Sequence, residues 1–263
     1  MWGAVIGDLA GSIYEYEQVK NVKPLILVDE LIPDNAFYSD DTILTMAILD
    51  AILQNKNYEE FLKKYGNLYK NYKPKFEPYF KNAFSPGFLK WIESNEIGKS
   101  HGNGAMMRIS PVGYLFNTEN EVIKNAKEAT IPSHNSATAI SSSEIIALII
   151  YWSRFGFTKE QIKSKVEEKY SISFLPFEKF NTTCEETISN VLSVIFECDS
   201  FEDCIKTIIS YGGDTDTNAC IVGSVAEAMY GIPMPIIESA RTKIPNEFVE
   251  LLDEGYSKIK KLK

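Results

Sequence analysis

Two short stretches of the 263-residue chain each set two aspartates among small hydroxyl side chains. The first is Ser39-Asp40-Asp41-Thr42 and the second is Gly212-Gly213-Asp214-Thr215-Asp216-Thr217. Each precedes an apolar run of helical character. One acid at such a point reads as a helix cap, because it complements the free amides and the dipole of the first turn. The second stretch has more than a cap needs. Asp214 and Asp216 are two residues apart, and in a regular helix they would point to nearly opposite sides. They converge only if the first sits in an irregular turn, and Gly212-Gly213 supplies that freedom. Brought together, the two heads gather four carboxylates beside the Ser39 and Thr217 hydroxyls. Such a group repels itself unless cations hold it, and about two divalent ions would neutralise it. All-oxygen ligands select hard ions, Mg²⁺ or Mn²⁺ first and Ca²⁺ next, and disfavour Zn²⁺.

Three further segments carry candidate chemistry. "SHGNGAMMR", Ser100–Arg108, is a glycine-spaced loop before a helix-like segment. Successive amides of such a loop can cradle phosphate oxygens, although a plain turn reads the same way. His101 could stack on a base or ribose, and Arg108 either adds charge or is buried beside an acid. "PSHNSATA" puts His134 just ahead of a helix beginning near Ser136, where it could bond ligand hydroxyls or phosphate or simply be a satisfied histidine near a cap. "GDLAGSIYEYE" holds Asp8 inside a glycine-rich helix and Glu15 and Glu17 past its end. A carboxylate at Glu15 could orient water or protonate a leaving group, whereas Glu17 reads as surface charge.

Helices must position these groups, since helical period dominates and strand alternation is scarce. "YEEFLKKYGNLYKNY" sets Tyr58, Phe61, Leu62, Tyr65, Leu68, Tyr69 and Tyr72 on one apolar stripe, stopped by Pro74. The runs after Thr42 and Asn218 are apolar or small on nearly every face, so they belong in the core. Gly223, Ser224, Ala226 and Ala228 permit close approach by neighbours. Thr158 and Ser200 cap two further helices, and a last helix starts near Asn246. The segment 18–37 contains "LILV", a short strand or extended loop. With no linker, solenoid repeat or low-complexity block, the expectation is an all-α, single-domain orthogonal multi-helix bundle over residues 1–263. Its functional residues would lie at helix heads and in loops.

Composition narrows the function. The net charge of −9 argues against nonspecific nucleic-acid or anionic-membrane binding. It leaves an anionic ligand open, because bound cations reverse the local sign. Cys184, Cys198, Cys204 and Cys220 form no C-x-x-C pair and the chain has two histidines, so a zinc site is disfavoured and buried reduced thiols are expected. The apolar start lacks a basic segment and is interrupted by Asp8, unlike a signal peptide. The longest apolar run, Ile145–Trp152, is too short for a bilayer. A cytoplasmic protein is expected.

In order along the chain, "GAVIGDLAGSIYE", "YSDDTILTMA", "SHGNGAMMRISPVG", "SHNSATA" and "GGDTDTNACIVGSVAEAMYGIP" resemble the ADP-ribosylglycohydrolase family, the type that includes the dinitrogenase-reductase-activating glycohydrolase. The likeness runs from Met1 to about Pro233, and the set of motifs is specific where no single one is. The resemblance implies an all-α fold, two divalent cations and hydrolysis of the glycosidic bond between ADP-ribose and an acceptor. Carried over by position, Ser39, Asp40, Asp41, Asp214, Asp216 and Thr217 would be metal ligands and Glu15 catalytic. Ser100, His101, Gly102, Asn103, Gly104 and His134 would bind substrate. Ser39 stands where relatives commonly have threonine, which keeps the hydroxyl. His101 stands where many have an aromatic residue, and "SHNSATA" replaces "THNHPEG", which changes the wall beside His134. The implied partner is an ADP-ribosylated protein or a small ADP-ribose conjugate, handled by a monomer without nucleic acid or membrane. The rivals are an O-acetyl-ADP-ribose hydrolase using the same site and a non-catalytic ADP-ribose-binding or immunity module. A helical metal-dependent phosphohydrolase or prenyl-diphosphate enzyme is less fitting, since the chain has no H-D pair and no D-D-x-x-D.

Overall fold

The structure is a computed structural model that describes residues 1–15, 29–74, 83–170, 172 and 182–260. The "LILV" segment and Glu17 lie outside the described residues. Fourteen helices and no sheet are found among the described residues. In chain order the first seven are α1 (Trp2–Gly11), α2 (Asp40–Gln54), α3 (Tyr58–Tyr69), α4 (Pro86–Ile92), α5 (Gly104–Met107), α6 (Ser110–Leu115) and α7 (Glu119–Thr130). The rest are α8 (Ala137–Arg154), α9 (Lys159–Lys169), α10 (Cys184–Glu197), α11 (Phe201–Ser210), α12 (Thr215–Tyr230), α13 (Met234–Arg241) and α14 (Asn246–Lys260). The starts expected from Ser39, Ser136, Thr158 and Ser200 are all side-chain-capped N-termini.

The packing that matters for function is α1 against α12. Gly3, Gly7 and Gly11 recur every fourth residue and lie against Gly223, Ala219 and Thr215, so the helices run antiparallel with their backbones in contact. A Cβ on Gly7 would stand 2.0 Å from the Ala219 carbonyl oxygen, and one on Gly11 2.3 Å from that of Thr215. Thr215 Oγ1 closes the seam with a 2.8 Å bond to the Gly11 carbonyl. This seam brings Asp8 and the residues after Gly11 beside the head of α12. Helix α2 is buried from Asp41 to Ala51, and α8 buries most of its length, including "IIALII". The buried apolar side chains form one contiguous cluster from Met1 to Leu252. All four cysteines are free and buried.

The aromatic stripe differs in detail from its sequence pattern. Helix α3 buries Tyr58, Phe61, Leu62 and Tyr65 and ends at Tyr69, ahead of Pro74. Leu68 is 68% exposed. The contact passes instead to Tyr69 and Tyr72, which lie against Phe248 and Tyr38, leaving Leu68 on the open side. The Tyr72 ring stacks on Tyr38 at 4.6 Å, and its hydroxyl donates to the Tyr38 carbonyl at 3.1 Å. The stripe therefore steadies the residue just before Ser39.

Candidate active site

The two acidic heads meet. Ser39 is the extended N-cap of α2, and its hydroxyl accepts from the Asp41 amide at 3.2 Å. Asp214 is the N-cap of α12 with φ −77° and ψ 73°, outside helical geometry, after Gly212 and Gly213 at φ 74° and 82°. That irregular turn brings Asp214 to the same side as Asp216. Thr217 Oγ1 donates to Asp41 Oδ2 at 3.2 Å and joins the heads directly. Carboxylate oxygens of Glu15, Asp214 and Asp216 lie within 4.8 Å of one another, as do those of Asp8, Asp41 and Asp216.

Glu15, Asp40, Asp214, Asp216 and Thr217 form the floor of a cavity of about 880 Å³. Asp8, Ser39 and Asp41 lie behind them, buried. No lysine or arginine among the described residues forms an ion pair with any of these acids. Burial, then the neighbouring Asp216, holds Asp40 and Asp41 well above the usual carboxylate range. Asp216 is held there by burial and then by Asp214. Asp214 is raised by burial although Asn103 Nδ2 donates to it at 2.6 Å. Burial and then Asp216 push Glu15 up to about 10. Glu15 Oε2 and Asp41 Oδ1 are buried with no hydrogen-bond partner. A buried acceptor without a donor costs free energy unless something else supplies positive charge.

Asp8 was not singled out as a site residue in the sequence, and it lies at the centre. Its Oδ2 accepts from the Ser39 amide at 2.9 Å, the Thr42 amide at 3.0 Å and Thr42 Oγ1 at 2.5 Å. Its Oδ1 accepts from Ser39 Oγ at 2.9 Å. Asp8 thus caps the neighbouring helix α2 and, through Ser39, sets the acidic head. With four donors it is saturated, whereas Asp41 beside it keeps an oxygen free. The sequence signal was an acid buried in an otherwise apolar, glycine-striped helix.

The walls carry the other candidates unequally. Ser100, Gly102, Asn103, Gly104 and His134 line the cavity. His101 does not; it is exposed, and its carbonyl accepts from the Cys184 amide at 2.9 Å. The expected cradle of successive amides is not formed at Gly102 and Asn103. Gly102 N donates to Ser100 Oγ at 3.1 Å and Asn103 N to the Thr182 carbonyl at 2.8 Å, because the loop pairs with residues 182–183. Asn103 acts through its side chain instead, bonding Asp214 and, at 3.3 Å, Thr187 Oγ1. Arg108 is buried on the wall with no acid in ion-pair range, and burial lowers it to about 10, so it remains a cation at neutral pH. A further wall of Phe84, Phe88 and Trp91 has ring centroids 4.9 and 5.5 Å apart in sequence. Its sequence signal is the cluster of aromatic residues around Ser85-Pro86-Gly87, the capped start of α4.

The family model for ADP-ribosylglycohydrolase matches residues 1–263. The chain belongs to the ADP-ribosylglycohydrolase family. Among curated relatives of this family member, ADP-ribosylhydrolase ARH3 of Mus musculus is 22% identical over 308 residues, covering 88% of this chain and 82% of the relative. The ADP-ribosyl-[dinitrogen reductase] glycohydrolase of Rhodospirillum rubrum is 25% identical over 137 residues, 50% of this chain and 47% of that one. A solved structure titled "ADP-ribosylglycohydrolase-related protein complex" superposes with a TM-score of 0.71 at 18% identity, over 98% of this chain and 93% of that chain, and so shares its fold. No helix among the described residues is long and apolar enough to cross a membrane.

Proposed function

We propose that this chain hydrolyses the glycosidic bond between ADP-ribose and an acceptor, as a de-ADP-ribosylating enzyme that uses two divalent cations, Mg²⁺ or Mn²⁺. The observation that carries this reading is the carboxylate floor: two helix heads converge there, and among the described residues Asp41 Oδ1 and Glu15 Oε2 are buried without partners and no lysine or arginine pairs with the acids. That donor set fits hard cations. Asp40, Asp41, Asp214 and Asp216 would hold them, with Ser39 and Thr217 supplying hydroxyls. Bound there, the cations supply positive charge and Lewis acidity toward hydroxyls and water.

The chain's own groups account for the rest. A cavity of about 880 Å³ suits a nucleotide-sized ligand. The Phe84–Phe88–Trp91 wall offers a stacking face for a base. Ser100, Gly104 and His134 offer polar contacts to phosphate or ribose. Breaking the C1″ bond builds oxocarbenium-like charge. Glu15, on the same floor, would give a proton to the leaving atom or orient the attacking water.

A linkage panel tests the reading. Arginine- and serine-ADP-ribosylated peptides and O-acetyl-ADP-ribose are incubated with Mg²⁺ or Mn²⁺, and free ADP-ribose is measured for the wild type and Glu15→Gln. Release from a peptide by the wild type and its loss in the variant is expected. Release from O-acetyl-ADP-ribose alone would move the assignment to that hydrolase. Tight binding of ADP-ribose with release from none would make the chain a binding module.

A further inference from the structure

His134 is one of two histidines in the chain, and it is buried in the cavity wall beside the glycine loop. The pairing of Lys99 with His134 and the bond from Ser100 N to the Ser133 carbonyl fix that placement. His134 Nδ1 lies 2.7 Å from Ser133 Oγ. Ser133 Oγ is in turn 2.6 Å from Arg108 Nη2, which is itself 3.5 Å from Nδ1. A guanidinium only donates. Arg108 therefore gives a proton to Ser133 Oγ, and the serine's own proton needs another acceptor. Among the described residues, His134 Nδ1 is the acceptor within its reach. Nδ1 then carries no proton, and the ring proton sits on Nε2. The other tautomer would aim two donors at Ser133 Oγ and leave the buried hydroxyl proton without an acceptor. A doubly protonated ring would have the same defect and would face the Arg108 cation as well. Burial and then Arg108 hold the imidazole well below its ordinary pKa, in keeping with this geometry.

Nε2 points toward the loop: a Cβ on Gly104 would stand 3.6 Å from it and one on Gly102 3.8 Å. Those two residues line the cavity with His134. We propose that Arg108 and Ser133 are positioning residues that fix His134 as the Nε2–H tautomer, so that this wall presents a hydrogen-bond donor and selects an acceptor oxygen, a phosphate or ribose oxygen, from the ligand. The ligand half of this proposal rests on the ADP-ribose reading. The tautomer half rests on the three side chains alone.

Long-range ¹H–¹⁵N spectra of imidazole-labelled protein test both halves, and His101→Gln assigns the two rings. The His134 spectrum is expected to show a protonated Nε2 and a pyridine-type Nδ1, unchanged from about pH 5 to 8. A protonated Nδ1 or an imidazolium in that range would overturn the lock. Ser133→Ala should mix the tautomers and weaken ADP-ribose binding about tenfold, the worth of one oriented hydrogen bond. Ser133→Thr, which keeps the hydroxyl, should restore both. An unchanged tautomer in Ser133→Ala would overturn the role of the serine. Added ADP-ribose should shift Nε2 and leave Nδ1 in place. If calorimetry shows that ADP-ribose binds while Nε2 does not move, the ligand half fails and the ADP-ribose reading stands. If ADP-ribose does not bind, that reading fails with the ligand half, and the apo spectrum still decides the lock.

Discussion

Replacing Asp8 with asparagine should raise the stability of the metal-free protein and lower its affinity for divalent cations. The opposite signs follow from the bonds around Asp8. An asparagine can place its carbonyl oxygen where Oδ2 now accepts from the Ser39 amide, the Thr42 amide and Thr42 Oγ1, so the head of α2 stays capped. Its amide nitrogen then takes the place of Oδ1, facing Ser39 Oγ. Ser39 must accept there and turn its proton to Asp41 Oδ2, 3.1 Å away. The charge removed was an expensive one. Burial, then Asp216, holds Asp8 near 7 against an ordinary 3.8. A tenfold change in proton affinity is about 1.4 kcal/mol, so the ionised group costs the metal-free protein up to about 4 kcal/mol at neutral pH. A gain on the order of 2–4 kcal/mol is therefore expected from Asp8→Asn by denaturant unfolding in EDTA. Ser39, however, now spends a lone pair on the amide and points its proton at Asp41, both against a cation. Supporting groups of this kind are worth about 10–100-fold in metal affinity, and titration calorimetry with Mn²⁺ should show a loss in that range. Lower stability in EDTA together with unchanged Mn²⁺ affinity would refute the reasoning and reduce Asp8 to a helix cap.

Gly7→Ala should open the α1–α12 seam, since its Cβ would stand 2.0 Å from the Ala219 carbonyl oxygen; overpacking of this kind costs about 1–3 kcal/mol or more, read as a fall in thermal midpoint. The metal-free protein should also lose stability as pH rises. Asp8 and Glu15 are raised, to about 7 and about 10, so their contribution is present below the ordinary carboxylate range and is lost as pH climbs through those values. Calorimetric scans in EDTA between about pH 5 and 8 should show that fall, and saturating Mg²⁺ should flatten it. Asn103→Ala removes the 2.6 Å donor to Asp214. It should raise the metal dissociation constant about tenfold or more, seen in the Mg²⁺ concentration that restores activity after chelation.

The all-α fold and the meeting of the acidic heads were legible because local chemistry dictated them. Helical period is written into each segment, and Gly212-Gly213 before two alternate aspartates makes sense only as an irregular turn that aims both at one place. The role of Asp8 was harder to read. Its partners Ser39 and Thr42 are distant in sequence, and only the Gly3, Gly7 and Gly11 seam sets its depth in the fold. The glycine loop misled for a related reason. Its spacing suggests free amides, but tertiary pairing with Thr182 and Thr183 consumes one of them and Ser100 another. The aromatic wall and the Arg108–Ser133–His134 relay join separate segments, which periodicity within one segment does not reveal.

The most direct measurement is the number of Mn²⁺ ions bound at saturation, counted by electron paramagnetic resonance in the wild type and in Asp41→Asn/Asp216→Asn. Two saturable ions per chain in the wild type and their loss in the double variant are expected, because Asp41 joins the two heads through Thr217 and Asp216 reaches both carboxylate groups. No saturable binding in the wild type, or equal binding in the folded double variant, would contradict the assignment of the acidic floor as a metal site.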